Sequence, residues 1–269
     1  MRENAVKRAL ARGEVVIGTM VSAFRSPEIA PMLAAAGFQF VLLDMEHSSL
    51  SIESVADIIL AAKGTSLVPF VRVPGKDHYL LSRPLDAGAE GLLVPQVETR
   101  DQVEAIIQAT KYFPLGRRGM ALKRAHSAYT PGDPGSYVQR ANKETFIIVQ
   151  IEGETAIRDL DQLISVPGVD AALIGPSDLS QSLGVPGQTK HPKVTGCAQR
   201  FVEVCNRYGV APGVHVMDRE SAKLWLEAGV KLLAYANDIN LIVDGGAQAV
   251  REVRDLAGQL ACPKTSGGG

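Results

Sequence analysis

Asp44, Glu46 and His47 put two carboxylates and an imidazole within four positions, directly after the apolar run Phe40-Val41-Leu42-Leu43. A carboxylate that holds an imidazole in one tautomer also raises its basicity. His47 with Asp44 can therefore serve as a general base, directly or through water, or the three groups can form no more than a polar loop. Three further short apolar runs end in groups of comparable chemistry. Arg72 follows Val71, Gln150 and Glu152 flank Ile151, and Gly175-Pro176-Ser177-Asp178 follows Ile174. Glu152 and Asp178, without a His-rich or Cys-rich cluster, suit a hard divalent cation such as Mg2+ or Mn2+ completed by water or substrate oxygens; the alternative is a capping Glu and an N-cap Asp. The Arg72 guanidinium fits a carboxylate or a developing oxyanion, or else a salt bridge with Asp44 or Glu46. The turn through Gly175, Pro176 and Ser177 aims backbone N–H groups from a helix start, which makes either an anion site or an ordinary strand-to-helix turn.

Positioning these groups requires the elements around them. Short apolar runs at 15–20, 38–43, 67–71, 91–94, 146–151, 169–174, 211–216 and 231–235 predict strands. Helical patterns follow at about 26–36, 51–63, 76–86, from 99 onward, and at 154–164, 193–208, 218–228 and 238–258. Pro27 after Ser26, and Thr99 three residues before Gln102, are start signals for two of them. Residues 114–135 are rich in Gly and Pro and predict one long irregular stretch. Eight strand–helix units are the number that closes a (β/α)8 TIM barrel, whose sites lie at the C-terminal ends of the strands. A doubly wound sheet is the rival, but no Gly-rich phosphate-binding turn follows an early strand. On the barrel reading all the polar groups above converge on one mouth. His215, near the end of the seventh strand, joins them, whereas His78, His126 and His191 read as surface residues.

Nothing marks a domain boundary, so residues 1–264 read as one domain and 265–269 (TSGGG) as a flexible tail. The 269 residues are 46% hydrophobic and carry a net charge of -1, which leaves no electrostatic footprint for nucleic acid. No apolar run is long enough to span a membrane, and the first residues lack a secretory pattern. Cys197, Cys205 and Cys262 form no CxxC pair, which fits free thiols in a cytoplasmic protein.

Six motifs in order then match a known family. They are Leu43-Asp44-Met45-Glu46-His47, Val71-Arg72-Val73, Asp86-Ala87-Gly88-Ala89, Val94-Pro95-Gln96-Val97, Gln150-Ile151-Glu152 and Ile174-Gly175-Pro176-Ser177-Asp178-Leu179-Ser180. From about residue 14 to 258 the chain resembles the HpcH/HpaI aldolases, the metal-dependent pyruvate aldolases, on the side of the 4-hydroxy-2-oxoheptanedioate and 2-keto-3-deoxy sugar acid enzymes. The resemblance implies a (β/α)8 barrel that cleaves 4-hydroxy-2-oxo acids to pyruvate, or a related 2-oxo acid, and an aldehyde. It implies Glu152 and Asp178 as ligands of Mg2+ or Mn2+, with Co2+ as a further option, and Arg72 at the pyruvyl oxygen. Gln150 and the backbone of Ser177 and Asp178 would hold pyruvate, His47 and Asp44 would transfer the proton, and Asp86 would serve the mouth of an adjoining subunit. It also implies a hexamer, a trimer of dimers with the last helix exchanged. Ala121, His215 and Tyr235-Ala236-Asn237-Asp238 depart from the family pattern and bear on the acceptor side. Two other classes remain at this point. One is a citrate-lyase-type enzyme that takes acyl-CoA thioesters through Arg117, Arg118, Lys123 and Arg124; the other is a non-catalytic 2-oxo acid binding protein. A Schiff-base aldolase would need a lysine inside the barrel, and the fifth and sixth strands carry none.

Overall fold

The computed structural model describes residues 2–261. Eight parallel strands close into a barrel in chain order: β1 (Val16–Val21), β2 (Phe40–Asp44), β3 (Val68–Arg72), β4 (Gly91–Val94), β5 (Phe146–Ile151), β6 (Ala171–Ile174), β7 (Ala211–Val216) and β8 (Leu232–Asn237). The expected (β/α)8 barrel is therefore present, with each strand within about two residues of its predicted bounds. Cys262 and the expected tail lie outside the described residues.

Side-chain alternation along the strands separates two cores. One set of alternate residues, including Val41, Leu43, Val71, Ile147, Val149, Ile174 and Val214, packs outward against the surrounding helices. The other set, including Phe40, Leu42, Val68, Phe70, Phe146, Ile148 and Leu173, fills the barrel. Phe70 stacks on Phe146 at 5.2 Å and tilts against Phe40 at 5.8 Å. Two glycines make room for these rings. A Cβ on Gly18 would lie 2.4 Å from the Phe40 ring, and one on Gly91 would lie 2.2 Å from the Phe146 carbonyl. The N-terminal half of the barrel is thus an apolar plug, and the same inward parity, carried two residues further, delivers Asp44, Arg72, Gln150 and His215 to the other end.

Four local features differ from the sequence expectation. The predicted helix at 154–164 is two short helices, Glu154–Arg158 and Leu160–Ile164, hinged at Asp159, whose backbone leaves the helical region. The one at 193–208 divides into Pro192–Thr195 and Ala198–Arg207. The irregular stretch gives way at its end to an unpredicted helix, Pro134–Glu144, capped by Asp133, which accepts from the Ser136 N–H at 2.8 Å. An N-terminal helix, Ala5–Ala11, is tied beneath the barrel by Arg2 and Asn4. Arg2 donates to Glu90, Thr65 and Leu67, and the Asn4 N–H donates to Glu144 at 2.8 Å. The capping box of Thr99 and Gln102 is formed, as is the Ser51 cap.

Candidate active site

The register of β2 and β3 sets Asp44 directly beside Arg72. Their side chains, 2% and 9% exposed, form a forked ion pair in which Arg72 Nε and Nη2 each reach an Asp44 oxygen at 2.8 Å. Asp44 Oδ1 also accepts the backbone N–H groups of Glu46 at 2.9 Å and His47 at 3.3 Å. Burial is the largest influence on the Asp44 carboxyl and pushes it up, but the Arg72 hydrogen bonds and charge with the two backbone donors outweigh it and hold it below the usual range.

This arrangement corrects the expected pairing of Asp44 with the His47 imidazole. Arg72 and the backbone take the Asp44 oxygens, and the carboxylate facing the ring is Glu46, with Oε2 3.8 Å from His47 Nε2 and 3.3 Å from Arg72 Nη1. Glu46 Oε2 is buried and has no hydrogen-bond partner. Burial, with the charges of Asp44 and Asp178, raises the Glu46 carboxyl against the opposing pull of Arg72 and His47. The His47 ring itself is 59% exposed.

Three strands round, Ile151 pairs with Ile174, so Glu152 and Gly175 come together just beyond the strand ends. Glu152 Oε1 accepts the Gln96 N–H at 2.7 Å, and Oε2 accepts Gln150 Nε2. A Cβ on Gly175 would lie 2.9 Å from both Gln150 Nε2 and Glu152 Oε2, so the glycine is what leaves these two side chains their place. Gln150 Oε1 is buried without a partner. Burial raises the Glu152 carboxyl, joined by the charges of Asp178 and Glu46 and opposed by the Gln96 and Gln150 donors. Pro176 starts the short helix Pro176–Ser182, whose first backbone bond is made by the Leu179 N–H to Gly175 O. The N–H groups of Ser177 and Asp178 precede that bond and face outward from the helix start.

Glu46, His47, Glu152 and Asp178 line a cavity of about 500 Å³ at the C-terminal mouth, together with Lys76 and Gln96. Arg72, Asp44 and Gln150 lie behind Glu46 and Glu152. Among the described residues no three His, Cys, Asp or Glu side chains close into a preformed metal cage.

Two expected site residues stand apart from the cavity. His215 faces the barrel interior on β7 and donates Nε2–H to the Ala236 carbonyl at 3.0 Å, which leaves Nδ1 as an acceptor. Burial first, and then the Arg72 charge, hold its imidazole below the usual histidine range. Asp86 is on the last turn of the helix His78–Ala87, at the N-terminal face of the barrel. There it pairs with the buried Arg118 at 2.6 Å and lies 3.8 Å from His126. It is no part of this chain's own mouth. The same loop carries the basic group proposed for a CoA thioester, so that group too lies at the opposite end from the carboxylates, with Arg118 already paired. His126, expected at the surface, is buried against Tyr137.

The sequence places Gln96 at the end of the fourth strand and Asp238 in a run that bears on the acceptor side, without a contact for either, and assigns nothing to Lys76. Lys76 Nζ donates to Gln96 O at 2.7 Å. Asp238, 2% exposed, accepts from the Ser22, Ala23 and Phe24 N–H groups and joins the loop after β1 to the start of the C-terminal helix. A charged residue following an apolar strand was the available signal for Asp238. Gln96 sits in the Val94-Pro95-Gln96-Val97 motif at the end of the fourth strand, but its part depends on a backbone angle that no pattern announces.

The family model described as HpcH/HpaI aldolase/citrate lyase matches residues 19–245. The chain is 36% identical over 245 residues to a hydroxypyruvate/pyruvate aldolase of Roseobacter denitrificans, covering 90% of this chain and 94% of that protein. It is 34% identical over 240 residues to a 4-hydroxy-2-oxo-heptane-1,7-dioate aldolase of Escherichia coli, covering 89% and 91%. The crystal structure of an HpcH/HpaI aldolase from Desulfitobacterium hafniense superposes with a TM-score of 0.87 at 32% identity, covering 92% of this chain and 96% of that one.

Proposed function

The chain belongs to the HpcH/HpaI aldolase/citrate lyase family and is an aldolase, and from that premise we propose that it reversibly cleaves 4-hydroxy-2-oxo acids to pyruvate, or a closely related 2-oxo acid, and an aldehyde. The observation that carries the proposal is the grouping of Glu46, His47, Glu152 and Asp178 around one cavity, backed by the buried Arg72.

The donor set fits a hard divalent cation. Glu152 and Asp178 would hold Mg2+ or Mn2+ with only two carboxylates, which leaves coordination positions for the oxygens of a 2-oxo acid. Such a cation would supply Lewis-acid polarisation of the keto group. The unpartnered Gln150 Oε1 and the free N–H groups of Ser177 and Asp178 are the polar groups left to orient the substrate. Arg72, fixed by Asp44, presents Nη1 toward Glu46 and the cavity as a positive group where negative charge develops. His47, on the exposed side, takes the proton of the C4 hydroxyl. The C3–C4 bond then breaks, its electron pair passes into the C2–C3 enolate, and the aldehyde leaves. A proton returned to C3 completes the pyruvate methyl group. Loss of CO2 from oxaloacetate would produce the same enolate, so slow oxaloacetate decarboxylation is expected.

The second part of the proposal is a homo-oligomer. The C-terminal helix Asp238–Ala261 exposes Ile239, Ile242, Val243, Val250, Val253, Leu256 and Leu260, a stripe at helical spacing that a second copy would cover. A hexamer built as a trimer of dimers fits this helix, and in it Asp86 would meet a neighbour's mouth. The two described thiols, Cys197 and Cys205, are unpaired and raised by burial, which fits a cytoplasmic setting. The test of the function is pyruvate release from a panel of 4-hydroxy-2-oxo acids. Absence of turnover with every member, while the chain still binds pyruvate, would make it a 2-oxo acid binding protein instead.

A further inference from the structure

Gln96 follows β4 and Pro95 with a φ of +54°, in the left-handed region that side-chain-bearing residues seldom occupy. Such conformations persist where surrounding contacts over-determine them, and they concentrate at functional sites. Three contacts do so here. The Gln96 backbone N–H donates to Glu152 Oε1 at 2.7 Å, its side-chain Nε2 donates to Glu46 Oε1 at 3.1 Å, and its carbonyl accepts Lys76 Nζ at 2.7 Å. One residue therefore grips two carboxylates that reach the cavity from β2 and β5, while a lysine from the β3 loop holds the peptide in place.

We propose that Gln96 is the positioning residue of this site. Its left-handed backbone presents an N–H to the proposed metal ligand Glu152, and its side-chain amide occupies Glu46 Oε1 so that Oε2 is turned toward Arg72 and His47. The two grips are separable. The backbone grip needs a positive φ and no side chain, whereas the amide grip needs a side chain long enough to reach Glu46. The orphaned Glu46 Oε2 is the consequence of the second: with Oε1 taken, the groups within ion-pair reach of Oε2 among the described residues are Arg72 Nη1 at 3.3 Å and His47 Nε2 at 3.8 Å. This inference rests on the function proposed above, because Glu152 is given its task there.

The experiment compares Gln96→Gly, Gln96→Val and Glu46→Ala, with the double variant Q96G/E46A. Glycine accepts the left-handed backbone and removes only the amide, whereas a β-branched residue rejects that backbone. Mn2+ affinity, read by titration calorimetry, is expected to stay within about twofold in Q96G and to fall about tenfold or more in Q96V, the range found when partners of metal ligands are lost. If Q96V does not fold, Gln96→Ala, which disfavours positive φ less strongly, replaces it with a smaller loss in the same direction. The kcat for pyruvate release is expected to fall about tenfold in Q96G, for the loss of one hydrogen bond to a carboxylate. In the E46A background the same change is expected to cost less than about twofold, because the amide then has nothing to hold. Wild-type Mn2+ affinity in the variant that disturbs the backbone, or an equal loss from Q96G in both backgrounds, overturns the proposal. A wild-type chain that neither binds Mn2+ nor cleaves any 4-hydroxy-2-oxo acid refutes the proposed function. A failure confined to the variants refutes only the role of Gln96.

Discussion

Asp44→Asn preserves shape and removes the charge that four donors address. Arg72 contributes two of them at 2.8 Å, and the Glu46 and His47 N–H groups contribute the others at 2.9 and 3.3 Å. With side-chain exposures of 2% and 9%, the pair lies outside the regime in which ion pairs contribute about 0–1 kcal/mol. Removing one partner leaves the buried Arg72 with the longer Glu46 contact at 3.3 Å as its near counter-charge, so the cost falls at the low end of the range of about 3–5 kcal/mol. The asparagine amide would also face either the guanidinium or the backbone N–H groups with a donor of its own, a penalty contained in that range. At about 2–4 °C per kcal/mol for a chain of roughly this size, the unfolding midpoint should fall by about 10 °C. Scanning calorimetry at neutral pH measures it, beside a pH–rate profile. If Asp44 served mainly to orient the His47 ring, the midpoint would stay within about 2 °C and the acid limb of the profile would move instead. That result would refute the assignment of Asp44 to Arg72 and the turn.

Three other outcomes follow from the same coordinates. Gly175→Ala puts a Cβ 2.9 Å from Gln150 Nε2 and Glu152 Oε2, so Mn2+ affinity should drop about tenfold while the unfolding midpoint changes by only a few degrees; calorimetric titration and a thermal scan separate the two. Burial raises Glu90 to about 7 despite Arg2, so the neutral form is the one the fold prefers: its contribution is full below the unfolded value near 4.5 and is lost as pH rises through 7, roughly 3 kcal/mol in all. Urea midpoints from pH 4.5 to 7 should show this slope in the wild type and a slope smaller by about that amount in Glu90→Gln; the raised Glu46 and Glu152 carboxyls leave a remainder of the same sign, and Lys111, lowered to about 8, changes charge only above that window. Truncation after Asp244 keeps the Asp238 contacts but removes Val250, Val253, Leu256 and Leu260, and sedimentation velocity should report a smaller assembly; an unchanged one would place the subunit contacts elsewhere.

The barrel was legible because its signal is local and repeated. Each inner strand is a short apolar run, and each run ends where polar residues begin, as at Leu43-Asp44 and Ile151-Glu152. Counting by twos from Phe40, Val68, Phe146 and Ala211 reaches Asp44, Arg72, Gln150 and His215, so the inward-facing polar layer follows from strand alternation alone. What the sequence left open was pairing across strands, where a salt bridge of Arg72 with Asp44 or Glu46 stood beside a free guanidinium. Asp44 lies close in the chain to His47, and proximity suggested a pair, but the parallel register sets Asp44 beside Arg72 and leaves Glu46 to face the imidazole. Gln96 was legible as a polar residue ending the fourth strand, but its grip depends on a positive φ after a proline, and nothing in the residue type announces that. The N-terminal helix and the helix Pro134–Glu144 were missed because their interiors are short and polar, so tertiary anchors such as Arg2, Asn4 and Tyr137 define them rather than periodicity.

In the proposed function Glu152 and Asp178 hold a divalent cation for cleavage of a 4-hydroxy-2-oxo acid beside Arg72 and His47. The most direct measurement is pyruvate release from such a substrate by the wild-type chain, followed through a coupled lactate dehydrogenase reaction, before and after metal removal and after addition of Mn2+ or Mg2+. A loss of at least about 100-fold is expected in excess EDTA, since Lewis-acid assistance is worth several kcal/mol, with recovery when the cation is restored. Undiminished release in excess EDTA, joined by inactivation with borohydride in the presence of pyruvate, would contradict it and point to a Schiff base on a lysine instead.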